Sequence, residues 1–240
     1  MRVDVAPTPD AVAAAMLPGA AVLVVDVLRA STSIITALAN GCVAIVPVAE
    51  PEEARRRAAA IPGALVAGER RGEPLEGFDL GNSPLEFAPE RVAGRTIVMT
   101  TSNGTRALVA VRGAAHVGVG ALVNVEAAAA WAAGCRCDVL VVCAGERGAR
   151  SLEDWVCAGL LAERVAARIG ASLGEGAAEA SVAGRAYADD VGRLAHDSRW
   201  ARHLTASGRG RDVAACLALD TMTLVPLYRA DVDKVLSSHP

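Results

Sequence analysis

Short apolar runs without alternation recur along the chain, separated by Ala-rich stretches whose polar positions repeat at helical spacing. The runs predict strands at residues 2–5, 22–26, 43–48, 65–67, 96–100, 116–119 and 139–143. Apolar on both faces, several of them suit strands covered from both sides rather than half-exposed ones. Helices are predicted at 10–17, 33–40, 51–60, 105–111, 125–133 and 152–169. Strand and helix alternate through two-thirds of the chain, which indicates an α/β fold with a largely parallel or mixed sheet flanked by helices. After Gly170 the character changes. Residues 171–183 are rich in Ala, Gly and Glu, 187–215 read as short polar helices with many Arg, and 225–228 form a last short strand. The reading is one α/β domain over 1–240, with a weak subdomain boundary near 170.

Composition narrows the class. At 240 residues with 52% hydrophobic content, the chain can bury a sizeable core, and its mean hydropathy of +0.33 excludes disorder. Aromatics are only 3%, so Ala, Val and Leu must build that core. A net charge of −3 argues against nucleic acid or an anionic membrane as partner, since both select a strongly basic face. No apolar run approaches the ~20 residues of a membrane span, and Met1-Arg2-Val3-Asp4 opens no leader peptide. The six cysteines include Cys135-x-Cys137 but no C-x-x-C pair, and most lie in apolar segments. They read as core fillers in a reduced, cytoplasmic protein without a disulfide framework or zinc site.

One arrangement occurs three times: an apolar strand ends, a short polar segment follows, and a helix begins. The first carries Asp26, Arg29, Ser31 and Thr32; the second Thr101, Asn103, Gly104, Thr105 and Arg106; the third Gly145, Arg147, Arg150, Ser151, Glu153 and Asp154. Ligands of open α/β sheets bind beyond the carboxyl ends of strands. A helix N-terminus there offers unpaired N–H groups and the positive end of a dipole, and hydroxyls and an Arg at each turn suit an anion further. Each turn alone is equally served by a plain cap, with Ser31, Thr101 and Ser151 as ordinary N-caps. Glu153 and Asp154 likewise complement the dipole of the helix they open.

Asp26 closes an apolar strand, where a carboxylate can hold Mg²⁺, act as nucleophile, or simply brace the next turn. The Gly- and charge-rich loop 68–84 adds Glu69 and Asp79 as oxygen ligands, and Asn82 and Ser83 to bond an anion or cap a helix. Familiar phosphatase spacings fail. A Cys-x5-Arg loop from Cys143 meets Ala149, an Asp-x-Asp from Asp26 meets Leu28, and no P-loop occurs. His116, His196, His203 and His239 form neither H-x-x-x-H nor Arg-His-Gly. The chemistry therefore rests on carboxylates, a metal and Arg.

At residues 26–33, 68–84, 100–108 and 143–154 the chain resembles the 2-phosphosulfolactate phosphatases, the motifs falling in the expected order over about 21–160. The resemblance implies a Mg²⁺-dependent hydrolase that converts (2R)-2-phospho-3-sulfolactate and water to (2R)-3-sulfolactate and phosphate. In methanogens this is a step of coenzyme M biosynthesis. It also implies a family-specific α/β arrangement and a homo-oligomer, a dimer being favoured. Such a small, phosphorylated, multiply anionic substrate suits Arg29, Arg106, Arg147 and Arg150 as a clamp. Asp26 is the first expected Mg²⁺ ligand, followed by Glu69, Asp79 and Asp154. Two other classes compete. A Mg²⁺-dependent lyase needs a base for a carbon acid, and the motifs supply neither Lys nor His. A non-catalytic sensor of anionic metabolites needs Arg and helix ends but no spare carboxylates.

Overall fold

The computed structural model describes residues 1–238; His239, one of the four histidines, lies outside the described residues. The chain runs β1 (Arg2–Ala6), β2 (Ala21–Val25), α1 (Ala30–Ala39), β3 (Ala44–Pro47), α2 (Pro51–Ala59), β4 (Leu65–Arg70), β5 (Glu73–Pro74), α3 (Pro89–Val92), β6 (Thr96–Thr100), α4 (Gly104–Ala110), β7 (His116–Gly120), α5 (Val125–Gly134), β8 (Val139–Cys143) and α6 (Leu152–Ile169). It continues through β9 (Ser172–Leu173), α7 (Glu175–Tyr187), α8 (Leu194–Asp197), α9 (Arg199–Leu204), α10 (Gly210–Cys216), β10 (Leu227–Arg229) and β11 (Lys234–Leu236). The helix expected at 10–17 is instead two single 3₁₀ turns, Pro9–Ala11 and Ala14–Met16. Neither turn buries a residue, so no packed face repays the nucleation of an α-helix there.

All described strands join one mixed sheet of order β5-β4-β6-β3-β11-β10-β7-β2-β8-β1-β9. Its pairs β1–β8, β8–β2 and β2–β7 are parallel, as are β3–β6 and β6–β4. The hairpin β10–β11 separates these blocks, pairing antiparallel to β7 on one side and to β3 on the other. Followed strand by strand, the two blocks therefore run in opposite senses. Twist reconciles them: five steps separate β2 from β6, and at about 20–25° per step the strands rotate by about 100–125°. The carboxyl ends of both blocks thereby converge on one region rather than pointing to opposite edges.

Strand β2 shows why the apolar runs do not alternate. Leu23 and Val25 pack into a core with α5, α6 and α7, while Val22 and Val24 pack into a second core with α1 and α4. Every β2 residue is buried. The chain beyond Gly170 adds Ala177, Ala180, Leu194, Leu204 and Val213 to the first of these cores. Helices α6 and α7 meet backbone to backbone at Gly159 and Gly184. A Cβ on Gly159 would lie 2.0 Å from the Ala180 carbonyl oxygen. Overpacking so rigid a contact forces the helices apart. Gly159→Ala is expected to cost about 2–3 kcal/mol, read as a lowered denaturant midpoint at unchanged m-value.

Candidate active site

The site begins at the end of β2. The Asp26 N–H donates to Ser31 Oγ at 2.9 Å, the Ser31 N–H donates to the Asp26 carbonyl at 2.9 Å, and the Ala30 N–H donates to Asp26 Oδ1 at 3.3 Å. Asp26 thus ties down the start of α1 while its carboxylate stays at the pocket floor. Helix α4 begins against the same group. A Cβ on Gly104 would lie 2.6 Å from Asp26 Oδ2 and 2.5 Å from the Ala30 Cβ, so only glycine lets the two helix starts close on Asp26.

Two neighbouring carboxylates are fixed by backbone donors. Glu69, at the end of β4, accepts from the Gly72 N–H at 2.7 Å and from the Ser102 N–H at 2.7 Å, joining the β4–β5 turn to the approach to α4. Asp154, in the first turn of α6, accepts from the Val27 N–H at 2.8 Å and the Gly145 N–H at 3.1 Å. Asp154 therefore locks the β2 and β8 turns together from beneath the pocket. Beside it, Glu153 is buried and accepts from Ser198 Oγ at 2.8 Å. The pocket above these groups is small, about 70 Å³, and is lined by Asp26, Glu69 and Glu146 together with Arg29, Arg71 and Arg147.

Burial sets the electrostatics. It pushes the Asp26 carboxyl up to about 7, with the Glu69 charge adding to the rise. Burial likewise carries Glu153 to about 7, helped by Asp154, and Asp154 to about 7, helped by Asp26. Three carboxyls thus share one low-dielectric region, where each opposes ionisation of the next. Against them stands Arg29, buried, donating to Asp212 Oδ2 at 2.6 Å and to the Gly72 carbonyl at 2.9 Å.

The profile of the family described as 2-phosphosulpholactate phosphatase matches residues 6–231. Curated relatives share the name "Probable 2-phosphosulfolactate phosphatase". That of Gloeobacter violaceus is 41% identical over 96% of this chain and 96% of its own. That of Symbiobacterium thermophilum is 38% identical over 88% and 92%, and that of Clostridium tetani 33% over 98% and 100%. The chain belongs to the 2-phosphosulfolactate phosphatase family.

Among the residues singled out in the sequence of this family member, Asp26, Arg29, Glu69, Asn82, Asn103 and Arg147 line the common pocket. Others turn away. The hydroxyls of Ser31 and Thr32 donate to the carbonyls of Val24 and Val27, and Thr101 and Thr105 bond each other's backbone N–H groups. These hydroxyls brace their own turns, but Ser31 and Thr101 are not the N-caps expected of them, those positions being Arg29 in α1 and Asn103 in α4. Gly104 gives the close approach already described, and the Gly145 N–H is taken by Asp154. Ser83 donates to Asp212 Oδ1 at 2.7 Å. Asp79 is exposed and accepts from the Val66 N–H near the start of β4, three residues (~10 Å) from Glu69. It therefore does not share a site with Asp26 and Asp154. Arg106 lines an adjoining groove with Arg70, Arg71 and Ser102. Arg150 lies over the Trp155 ring and pairs with Glu179, outside the pocket.

The C-terminal helices bring residues that no motif in the sequence announces. Trp200 of α9 lines the pocket and donates from Nε1 to the Leu28 carbonyl at 3.1 Å, and Arg199 pairs with Glu146 at 2.9 Å. Asp212 of α10 holds both Arg29 and Ser83. The available signal is an Asp inside an Arg-rich helical stretch, 183 positions along the chain from its partner. Cys143 and Cys157 are wholly buried, and burial raises both thiols well above their ordinary value, leaving them as core residues.

Among the described residues no cluster of three or more His, Cys, Asp or Glu side chains is arranged to hold a metal. A Mg²⁺ cage of that kind is not required, since this ion commonly uses one or two carboxylates with substrate oxygens and water. Asp26 and Glu69 fit that pattern. They face one pocket, the Glu69 charge adds to the cost of ionising Asp26, and Asp26 Oδ2 meets no donor among the described residues.

Two outcomes follow. The ordinary Glu153 value is 4.5, so an unfolded chain releases this proton earlier than the folded one, which keeps it to about 7. The folded state binds more protons across that window, and stability falls as pH rises through it. Glu153→Gln, which can still accept from Ser198, is expected to flatten the decline in Tm between pH 5 and about 8. Asp212→Ala strands the buried Arg29 cation and is expected to cost about 3 kcal/mol in chemical denaturation.

Proposed function

We propose that this chain hydrolyses the phosphate monoester of (2R)-2-phospho-3-sulfolactate, or a closely similar phosphorylated small acid, with Mg²⁺ held by Asp26 and Glu69. The observation that supports this most strongly is the meeting of these carboxylates with Arg29, Arg71 and Arg147 in one cleft of a family member. Bound Mg²⁺ would neutralise phosphoryl oxygens and acidify a coordinated water.

The chain's own residues provide position and charge. Arg29 is pinned by Asp212 and the Gly72 carbonyl, so its guanidinium holds one orientation at the pocket wall. A fixed cation there stabilises the negative charge of a transferring phosphoryl group without having to reorganise during the reaction. Asn82 sits beside it, 4% exposed, with its Oδ1 unpartnered in the protein interior. Its amide is thus left for a bound molecule to engage. Asp154 keeps the turns after β2 and β8 at fixed separation through its two N–H bonds. Trp200 walls off one side of the cleft.

The competing classes fare worse on the same geometry. No Lys or His lines the pocket to abstract a proton from carbon, and a sensor gains nothing from crowding Asp26, Glu69, Glu153 and Asp154 together.

Phosphate release from 2-phospho-3-sulfolactate by the purified chain is the test. Turnover is expected with Mg²⁺, with loss in EDTA and recovery on re-addition. Asp26→Asn is expected to lower kcat by at least about 100-fold, the scale of losing a group aimed at developing charge. Full turnover in EDTA would remove the metal from the reaction, and near-normal turnover of Asp26→Asn would remove that carboxylate.

A further inference from the structure

Two tight turns face the pocket, and both put an arginine where glycine or asparagine is the usual choice. In the first, Arg70 pairs with Glu73 across the β4–β5 hairpin, leaving Arg71 (φ 56°) and Gly72 (φ 86°) as its two turn residues. In the second, Glu146 and Ala149 exchange backbone hydrogen bonds of 2.8 and 2.9 Å around Arg147 (φ 51°) and Gly148 (φ 75°). Positive φ at both central residues is the requirement of a type I′ turn, which Asn-Gly or Gly-Gly meets with least strain. Left-handed backbone is disfavoured for a residue with a long side chain, and such residues gather where function overrides local preference.

Nothing inside either turn calls for a guanidinium. Among the described residues, neither the Arg71 nor the Arg147 side chain has a hydrogen-bond or ion-pair partner. This sets them apart from Arg29, bound to Asp212, and from Arg70, whose guanidinium donates to the Glu69 and Ala49 carbonyls and to Thr100 Oγ1. Both free arginines line the pocket that holds Asp26 and Glu69. Their turns are nonetheless held firmly. The Arg71 N–H donates to Ser102 Oγ at 3.0 Å and the Gly72 N–H to Glu69, while the Glu146 carboxylate pairs with Arg199.

We propose that Arg71 and Arg147 are a pair of specificity arms that bind the anionic groups of the substrate which are not hydrolysed, its carboxylate and sulfonate. The assignment rests on the phosphatase reading above. In that reading the phosphoryl group takes the end of the pocket formed by Asp26, Glu69 and Arg29. The two partnerless cations on the turns are then left for the remaining charges. A guanidinium offers a planar fork of donors that matches a carboxylate or sulfonate edge, and its charge persists at every working pH. Placing it on a rigid turn rather than a mobile loop preserves its position at the cost of backbone strain.

The test is a charge series on one carbon skeleton: 2-phospho-3-sulfolactate with two further anionic groups, 2-phospholactate with one, and glycerol 2-phosphate with none. It is run on the wild-type chain, Arg71→Gly and Arg147→Gly. Glycine accepts the left-handed backbone, so Tm is expected to hold or rise in both variants. Each substitution is expected to lower kcat/KM about 100-fold on 2-phospho-3-sulfolactate and less than about 3-fold on glycerol 2-phosphate, the scale of losing a charge-assisted hydrogen bond only where its partner exists. Equal losses on all three esters, or no loss on the first, would overturn the assignment. If wild-type releases phosphate from none of the three, the phosphatase reading fails separately, and calorimetric titration with 3-sulfolactate decides the arms. Binding weakened at least about tenfold by either substitution upholds them; binding that is absent in wild-type or unchanged in the variants refutes them.

Discussion

Everything at this site depends on keeping the Asp26 carboxylate buried at the end of β2. A lone carboxylate in so dry a position is costly, and here Glu69, Glu153 and Asp154 add charge of the same sign. The fold answers with backbone donors, and with the Arg29 charge beside Asp26. Asp26 takes the Ala30 N–H at the start of α1, Glu69 takes those of Gly72 and Ser102, and Asp154 those of Val27 and Gly145. Two of these bonds, Ser102 to Glu69 and Val27 to Asp154, also join segments distant in sequence, so groups that neutralise the site help to assemble it. What remains is a pocket lined by Asp26 and Glu69 together with the side chains of Arg71 and Arg147 from two adjoining turns. That mixture of charges suits a divalent cation with a polyanionic substrate.

The sheet makes this assembly available by its twist. Two parallel blocks of opposite sense would present their carboxyl ends to opposite edges if the sheet were flat. Inserting β10 and β11 between β7 and β3 adds the rotation that brings Glu69 and Ser102 from one block to Asp26 and Arg147 from the other. The C-terminal chain thus has two structural tasks. Its last hairpin spaces the blocks, and its helices close the cleft with Trp200 while Asp212 orients Arg29.

How much of this is legible in the sequence depends on how local each signal is. Strands β2, β6 and β8 and helix α6 are plain because their apolar runs are long and bounded by turn residues. The meeting of the three turns is legible too, since each joins a buried strand to a helix start. The direction of the side chains within those turns is not. Ser31, Thr101 and Thr105 carry the same hydroxyl whether it faces a ligand or its own backbone, and in the structure the backbone takes it. Asp79 and Asp154 read alike as spare carboxylates, yet one bonds a strand start at the surface and the other is sealed beneath the pocket. Strand β10 overlaps the short strand expected at 225–228, whereas β11, three residues opening on Lys234, offers no periodicity to detect. Asp212 is silent for another reason: its partner is on the far side of the fold in sequence, and only tertiary packing joins them.

The central claim is that a cation completes a cluster of carboxyls which folding leaves partly protonated near neutrality. Calorimetric titration with Mg²⁺ in buffers of different ionisation enthalpy tests it most directly, because it counts the protons displaced as the ion binds. With Asp26, Glu153 and Asp154 each pushed up to about 7, binding at pH 6.5 should release protons, the release should fade by about pH 9, and Asp26→Asn should remove most of the binding heat. Binding without proton release at pH 6.5, or binding that survives unchanged in Asp26→Asn, would contradict the account.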